Sequence, residues 1–242
     1  MANKRSGPAA APTRKKRPVR RRAGRPPASR PALESKQEIL DAALRAFGEH
    51  GFEEMSVRKL ANELGVSHNL ISHYYSSKDE LWRACVDYSI GTINRELVEM
   101  AARLQEKADV LEVLRAVSER FIHLAARFPA NLFIVSHVGA SESARLDYLY
   151  TQLMEPAQRG WAALVERAVA ERKIRRYDPR TLFFLLTHGG AAMFTLVPLA
   201  ERMGGPPPLD PAFIDKQARD VVDILLRGIM LDPDAATRRR RA

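Results

Sequence analysis

Cysteine is almost absent from the sequence, since Cys85 is the only one among 242 residues. A disulfide within the chain and a zinc or iron–sulfur site built from several cysteines are therefore excluded. The basic N-terminal residues are not followed by the apolar segment that a secretory signal requires. These features favour a cytoplasmic protein, and the chain is long enough to bury a sizeable core without cross-links.

Acidic residues are missing from residues 1–33, which contain eleven lysines and arginines. Residues 233–242 are also basic, so the net charge of +10 is concentrated in the two tails and the body between them is mildly acidic. Such tails suit a polyanion such as DNA, RNA or an anionic membrane surface, although a merely solubilising tail has the same composition. Residues 1–33 contain few large apolar residues, and we expect them to be disordered.

Strand-like alternation is not convincing anywhere, whereas helical periodicity recurs through the body of the chain. Capping boxes at Ser35–Glu38 and Ser77–Glu80 each open an apolar helical stripe, and we expect Gly48 and Gly51 to end the first one. Pro156 should kink a later helix. We therefore predict an all-α fold with four parts: a tail (1–33), a helix-turn-helix domain (34–80), a larger helical domain (81–232) and a basic C-terminal tail (233–242).

Residues 181–200 form the longest segment without Lys, Arg, Asp or Glu. Twenty such residues are long enough to span a membrane. His188, three threonines, the Gly189–Gly190 pair and Pro198 argue against that reading, and a helix buried inside a helical assembly gives the same pattern. We predict a buried interface helix and no membrane partner.

A helix-turn-helix pattern lies between the two capping boxes. Ser56 can cap a short helix, Gly65 can adopt the left-handed conformation at its end, and Ser67 can cap a second helix over residues 68–75. An ordinary helical hairpin would show much of the same spacing. The second helix, however, offers His68 and Asn69 near its N-terminus, where side chains reach base edges in the major groove.

Residues 36–90 resemble the N-terminal domain of the tetracycline-repressor (TetR) family of bacterial transcription regulators. The resemblance is carried by four runs and two shorter matches at fixed spacing: Glu38–Leu44, Phe47, Gly51–Phe52, Ser56–Ala61, Leu64–Ser67 and His73–Leu81. It implies a homodimer whose two recognition helices enter successive major grooves of a pseudo-palindromic DNA operator. Repression released by a small molecule is the usual activity of the family.

The resemblance also implies which side chains meet DNA. His68, Asn69 and Leu70 would face bases, while Tyr74 and Lys78 would hold phosphates. The other candidate contacts are Ser67, Ser72 and His73; Ser72 departs from the family pattern, because a tyrosine is common at that position. Residues 34–80 contain five basic and nine acidic residues, so Arg25, in an Arg-Ala-Gly-Arg-Pro segment similar to an AT-hook, is a further candidate for DNA contact.

The larger helical domain should contain a ligand pocket and the dimer interface. An apolar pocket with few polar groups suits a lipophilic small-molecule effector, although apolar stripes are more often simply core. The candidate pocket residues are Phe121, Phe133, His137, Tyr148, Met154, Trp161, Phe184, His188 and Met193. The candidate interface residues are Gly189, Gly190, Val221, Ile224 and Leu225, and packing of these residues within one chain is the alternative.

Two rival functions are weaker. The Gly139–Ser143 run misses the last glycine of a nucleophile elbow, and His123, His137 and His188 have no metal-ligand spacing, so we expect no catalytic site, no metal and no cofactor. An architectural DNA-binding protein acting through its tails would explain the charge. It would leave the large helical domain without a role.

Overall fold

The computed structural model describes residues 36–105 and 108–231. The predictions for both tails, including Arg25, and for the capping residue Ser35 lie outside these residues. Within them the secondary structure is helical, with no β-strand beyond an isolated bridge between Ile174 and Met230, which confirms the all-α prediction. The α-helices are α1 (Lys36–Glu54), α2 (Val57–Leu64), α3 (His68–Tyr74), α4 (Lys78–Gln105), α5 (Val110–Arg127), α6 (Ala130–Gly139), α7 (Ala144–Tyr148), α8 (Glu155–Ala170), α9 (Pro179–Phe184), α10 (Gly190–Thr195), α11 (Val197–Arg202) and α12 (Pro211–Ile229).

Helix α1 continues past the first of the two glycines that were expected to end it. Gly48 lies inside the helix, so the expectation that it ends α1 was wrong. A Cβ atom placed on Gly48 would lie 2.9 Å from the Cβ atom of Ala130, so this glycine allows α1 to approach α6 closely. Gly51, by contrast, has φ 70° and ψ 175°, which is not a helical conformation, so it does interrupt the helix. An L-residue rarely adopts a φ in this range, whereas glycine does so readily.

Two hydrophobic cores lie along the chain. The first joins the helix-turn-helix to the body, since Phe47, Leu60 and Ile71 pack in one cluster with Trp82 and Leu149. The second is formed mainly by α5, α8, α10 and α12. Leu97 and Phe121 pack against both cores. The helix-turn-helix is thereby attached to the larger domain through a shared apolar interior.

A π-helical turn precedes Pro156, so the helix is not interrupted by a simple kink at the proline. A π-helical turn, Leu149–Met154, joins α7 to α8, and Pro156 lies in the first turn of α8, where its missing N–H is tolerated. The side chains of Leu153 and Met154 in this turn, together with Pro156, contribute to the wall of a cavity described below.

The uncharged segment 181–200 is not one continuous helix, so that part of the prediction was wrong, whereas its place at an interface stays a prediction. It is divided into α9, a π-helical turn (Leu185–Gly189), α10 and the start of α11, with a break at Leu196. Phe184 and Leu185 are more than half exposed, at 56% and 55%. Among residues 36–105 and 108–231, no single helix has the length and apolar character to cross a membrane, although α5 and α6, bent by 94°, meet that test as a pair.

Candidate DNA-binding and ligand-binding sites

The helix-turn-helix forms with the caps that its spacing predicted. The Ser56 hydroxyl accepts a hydrogen bond from the Lys59 N–H (3.4 Å), and the Ser67 hydroxyl accepts one from the Leu70 N–H (3.2 Å). Gly65 ends α2 in the left-handed conformation, with φ 69° and ψ 25°. Leu60, Ala61 and Ile71 are buried, so α2 and α3 are fixed against each other and against α1.

Helix α3 presents a polar face to solvent. Its exposed residues are His68, Asn69, Ser72, His73 and Tyr74, and Ser67 at its N-cap is also exposed. Leu70 is half-buried, and Ile71 points into the core. The Ser72 hydroxyl lies 3.3 Å from His68 Nδ1, so these two side chains are positioned by each other. The structure thus brings together the candidate base-reading groups on one accessible helix.

Two candidate phosphate-binding residues have partners within the chain. The Lys78 ammonium donates a hydrogen bond to the Glu53 carbonyl (3.0 Å) and lies 4.7 Å from the ring centroid of Phe52. It therefore stabilises the C-terminal end of α1, and of its three N–H groups one is used there. Tyr74 is 37% exposed, with the Lys36 ammonium 5.0 Å from its ring centroid.

In the second capping box, the glutamate side chain bonds to Ser76, one residue before the predicted Ser77. The Ser77 hydroxyl accepts a hydrogen bond from the Glu80 N–H (3.0 Å), as expected for an N-cap. The Glu80 carboxylate, however, accepts from the hydroxyl and the backbone N–H of Ser76. These hydrogen bonds favour the charged form and lower the pKa of Glu80. These hydrogen bonds fix the turn between α3 and α4.

The larger domain contains a cavity of about 350 Å³, which is the size of a small-ligand site. Its wall is formed by α4, α5, α6, α8, the π-helical turn before α8 and residues 183–195. Four candidate pocket residues line it: Phe121, Met154, Trp161 and His188. Burial lowers the pKa of His188, so its neutral form is favoured.

The other candidate pocket residues lie outside this cavity. Helix α6 contributes Asn131, Leu132 and Val135 to the wall, whereas Phe133 and His137 do not line it. Phe184 is largely exposed, and Met193 is half-buried outside the wall. Helical periodicity identified these helices but did not show which of their faces turns inward.

Tyr148 lies at a contact between α4 and α7 instead of at the cavity. Its hydroxyl donates to the Asp87 carboxylate (2.9 Å), and its ring meets Trp82 edge-on, with centroids 6.1 Å apart. Burial and then the hydrogen bond to Asp87 raise the pKa of Tyr148. Tyr148 therefore connects the long helix α4 to the segment that leads into the π-helical turn.

The candidate interface residues separate into two groups. Gly190 is buried, and a Cβ atom on it would lie 2.6 Å from Ile122 Cδ1 and 3.1 Å from Val221 Cγ1, which is packing within one chain. Val221 and Leu225 are half-buried beside the second core. Gly189 is exposed, and Ile224 is 73% exposed. Gly189 and Ile224 are therefore available to a second subunit.

The helix-turn-helix region is similar to known regulators. A profile described as bacterial regulatory proteins of the tetR family matches residues 39–85. The transcriptional repressor AcnR of Corynebacterium diphtheriae is 36% identical over 95 residues, which are 38% of this chain and 46% of that protein. The matched region thus spans less than half of the length of this curated relative. Both the profile and this relative are described as regulators of transcription.

The whole described fold is similar to solved regulators. The ketosteroid transcriptional regulator KstR2 of Mycobacterium tuberculosis superposes with a TM-score of 0.63 at 18% identity, covering 83% of this chain and 98% of that chain. The regulator FadR of Bacillus subtilis, solved in complex with stearoyl-CoA, superposes with a TM-score of 0.57 at 19% identity, covering 81% and 100%. The arrangement of an N-terminal helix-turn-helix and a larger helical domain is shared.

Proposed function

We propose that this chain, a member of the tetR family of bacterial regulatory proteins through its N-terminal domain, is a sequence-specific repressor of transcription in the cytoplasm. It binds a pseudo-palindromic DNA operator as a homodimer and leaves it when a lipophilic small molecule binds the larger domain. The observation that carries the proposal is the exposed polar face of α3, held by its caps on a helix-turn-helix.

Base reading is assigned to the N-terminal part of α3. An asparagine amide can donate to and accept from adenine at the same time, and Asn69 is exposed in the first turn. His68, whose ring lies against the Ser72 hydroxyl, presents a second hydrogen-bonding group beside it. Leu70 supports apolar contact with a thymine methyl group. Tyr74 and Lys78 are assigned to phosphates on the flanking backbone.

Ligand binding is assigned to the cavity, and helix α6 supports its link to DNA binding. Asn131, Leu132 and Val135 of α6 line the cavity, while Ala130 of the same helix packs against Gly48 of α1. A ligand that moves α6 therefore acts on the helix that positions the helix-turn-helix. The ligand changes operator affinity by its differential affinity for the two positions of these helices.

Dimerisation is assigned to α12 and the π-helical turn after α9. Ile224, Leu185 and Phe184 are large apolar side chains that are more than half exposed in the single chain, and Gly189 is exposed near them in sequence. Apolar side chains exposed on α12 and on the π-helical turn, two elements that contact each other, favour an interface with another surface. A second copy of the chain would cover them.

Selection of binding sites from random duplex DNA by the full chain tests this function. We expect enriched sequences with two inverted half-sites spaced by about one helical turn, as for dimeric helix-turn-helix proteins. Asn69→Ala should relax the preference at one position in each half-site, whereas Asn62→Ala, on the exposed side of α2, should leave the selected motif unchanged. Enrichment without any motif would contradict the proposal and favour an architectural role.

The basic N-terminal tail is assigned a supporting role that does not depend on sequence. Deletion of residues 2–30 should lower affinity for every DNA duplex and flatten the dependence of log K on log salt, because fewer counterions are released. This is measured by titrating labelled duplex at several salt concentrations. An unchanged slope would show that Arg25 and its neighbours do not contact DNA.

A further inference from the structure

The polar groups on the cavity wall are mostly paired within the chain. The Asn94, Thr187 and Thr195 side chains each donate to a backbone carbonyl, and the Trp161 indole N–H also does so. These hydrogen bonds are Asn94 Nδ2 to the Leu153 carbonyl (2.6 Å), Thr187 Oγ1 to the Phe183 carbonyl (2.9 Å), Thr195 Oγ1 to the Pro129 carbonyl (3.3 Å) and Trp161 Nε1 to the Pro179 carbonyl (3.2 Å). Three of these donor groups are fully used, and the fourth, Asn94 Nδ2, uses one of its two N–H groups.

Asn131 on the same wall differs from them. Its side chain is among the few buried polar ones, with 8% of the residue exposed. Its Oδ1 atom lies 2.8 Å from the Ser89 hydroxyl of α4, but its Nδ2 atom has no hydrogen-bond acceptor among residues 36–105 and 108–231. A buried amide N–H₂ without an acceptor is unfavourable, because it has lost its water and gained no partner.

The Ser89 hydroxyl faces the Oδ1 end of the Asn131 amide. Its single proton lies within reach of both the Cys85 carbonyl (2.9 Å) and Asn131 Oδ1 (2.8 Å). Cys85 lies in the interior of α4, where a carbonyl already accepts the backbone N–H four residues later. Donation of this proton to Asn131 Oδ1 leaves Nδ2 as an unused donor on a residue that lines the cavity.

Apart from His188, the rest of the wall is apolar, and it carries no Asp, Glu, Lys or Arg in the part of the chain that the structure describes. Its one titratable side chain is His188, whose Nδ1 atom lies 3.0 Å from the Thr187 hydroxyl. A carboxylate or phosphate placed inside would therefore lose its hydration without gaining a cation. Any charged part of a ligand would have to lie outside the cavity.

We propose that the cavity binds an uncharged lipophilic molecule with a carbonyl oxygen, and that this oxygen accepts a hydrogen bond from Asn131 Nδ2. The inference rests on the proposed ligand-binding role of the cavity and adds the chemistry of its ligand. Apolar contacts supply most of the affinity, while Asn131 selects for one acceptor oxygen at one place on the wall. Ser89 is a positioning residue that orients the amide.

Benzophenone and diphenylmethane are suitable probes, because the two molecules have nearly the same shape and differ by one carbonyl oxygen. Their affinities for the full chain are measured by isothermal titration calorimetry. The variants are Asn131→Leu, which keeps the branching of the side chain and removes the donor, and Thr187→Val, which removes a wall hydroxyl that is already paired. Photolysis of bound benzophenone, followed by mass spectrometry, shows whether it attaches to residues of the cavity wall.

The wild-type chain should bind benzophenone about tenfold more tightly than diphenylmethane, the ratio expected from one buried hydrogen bond. Asn131→Leu should reduce this ratio to about one or below, because the carbonyl then loses its donor. Thr187→Val should keep the wild-type ratio. Thermal unfolding of each variant shows that it is folded, and the wild-type ratio tests the proposal even if Asn131→Leu fails to fold.

Three results would overturn the inference in different ways. If the wild-type chain binds both probes and does not prefer the ketone, Asn131 is not an anchor, but the cavity remains a ligand site. If Asn131→Leu keeps the preference, another group binds the oxygen. If neither probe binds or attaches to the cavity wall, the ligand-binding part of the proposed function fails as well, while the DNA-binding part is unaffected.

Discussion

The guanidinium of Arg145 lies over the ring of Phe52, with its Cζ atom 3.7 Å from the ring centroid. The same group pairs with the Glu53 carboxylate (2.9 Å) and lies 4.0 Å from Asp79. Phe52 and Glu53 lie at the end of α1, and Arg145 belongs to α7, just before the π-helical turn whose side chains line the cavity. One side chain thus connects the region beside the cavity to the end of α1, next to the helix-turn-helix.

Replacing Arg145 by alanine should lower the free energy of unfolding by about 1 kcal/mol, because a partly buried cation–π contact and an ion pair are lost together. Urea denaturation measures this change. Arg145→Lys should recover only part of it, since an ammonium cannot stack as a planar guanidinium does. Arg159→Ala is the control: its side chain is 74% exposed, and no measurable change is expected. Equal effects of Arg145→Ala and Arg159→Ala would show that the contacts of Arg145 with Phe52 and Glu53 do not stabilise the fold.

Moving one methyl group from Ala130 to Gly48 tests the contact between these two residues. Gly48→Ala places a methyl group 2.9 Å from Ala130 Cβ and should destabilise the fold, although alanine is the better helix former. Adding Ala130→Gly should restore part of the loss, giving a favourable coupling of about 1 kcal/mol in a double-mutant cycle. Purely additive changes in the free energy of unfolding would show that α1 and α6 do not touch there.

A charge on Ile224 should separate the subunits without unfolding them. Ile224→Glu introduces a carboxylate on a side chain that is 73% exposed, so a single chain tolerates it and an apolar interface does not. Sedimentation velocity should show a monomer with an unchanged circular dichroism spectrum. Tyr150→Glu, on another exposed apolar position, should remain a dimer. A dimeric Ile224→Glu variant would contradict the assigned interface.

Gly190→Asp should behave differently from Ile224→Glu. Its new side chain would collide with Ile122 and Val221 of the same chain, so the expected result is loss of the fold and not a folded monomer. Thermal unfolding followed by circular dichroism distinguishes these results. A folded, monomeric Gly190→Asp variant would place Gly190 at the interface after all.

Acid should destabilise the fold in part through His188. Burial lowers its pKa below the ordinary value of 6.5, so the unfolded chain binds a proton more readily than the folded one. The stability that neutral His188 supports is present above about pH 6.5 and is lost as the pH falls through the lowered pKa. The melting temperature of the wild-type chain should therefore fall more steeply with acid than that of His188→Gln. Parallel profiles would contradict this.

Local features of the site could be predicted from the sequence, and nonlocal ones could not. Ser56, Gly65 and Ser67 follow from spacing within a few residues, because caps and turns depend on neighbouring backbone groups. The unpaired amide of Asn131 depends on the approach of α6 to Ser89 of α4, 42 residues away. Arg145 meets Phe52 in the same way, by tertiary packing that no short motif records.

The orientation of the helices explains why some predicted pocket residues lie outside the cavity. Phe133 and Val135 lie on one helix and are both apolar, yet only Val135 lines the cavity. Periodicity shows which residues share a face, but the neighbouring helices decide whether that face meets a core, a cavity or solvent. The same reason applies to Gly190, whose small size serves contact with Ile122 in its own chain.

The central claim is that this protein reads DNA sequence, and fluorescence anisotropy tests it most directly. The full chain is titrated against labelled duplexes from the DNA beside its own gene and against scrambled duplexes, at near-physiological salt. We predict one duplex that binds at least about a thousandfold more tightly than its scrambled form, as specific regulators do. Equal, steeply salt-dependent binding to every duplex, including those selected from a random pool, would contradict the claim.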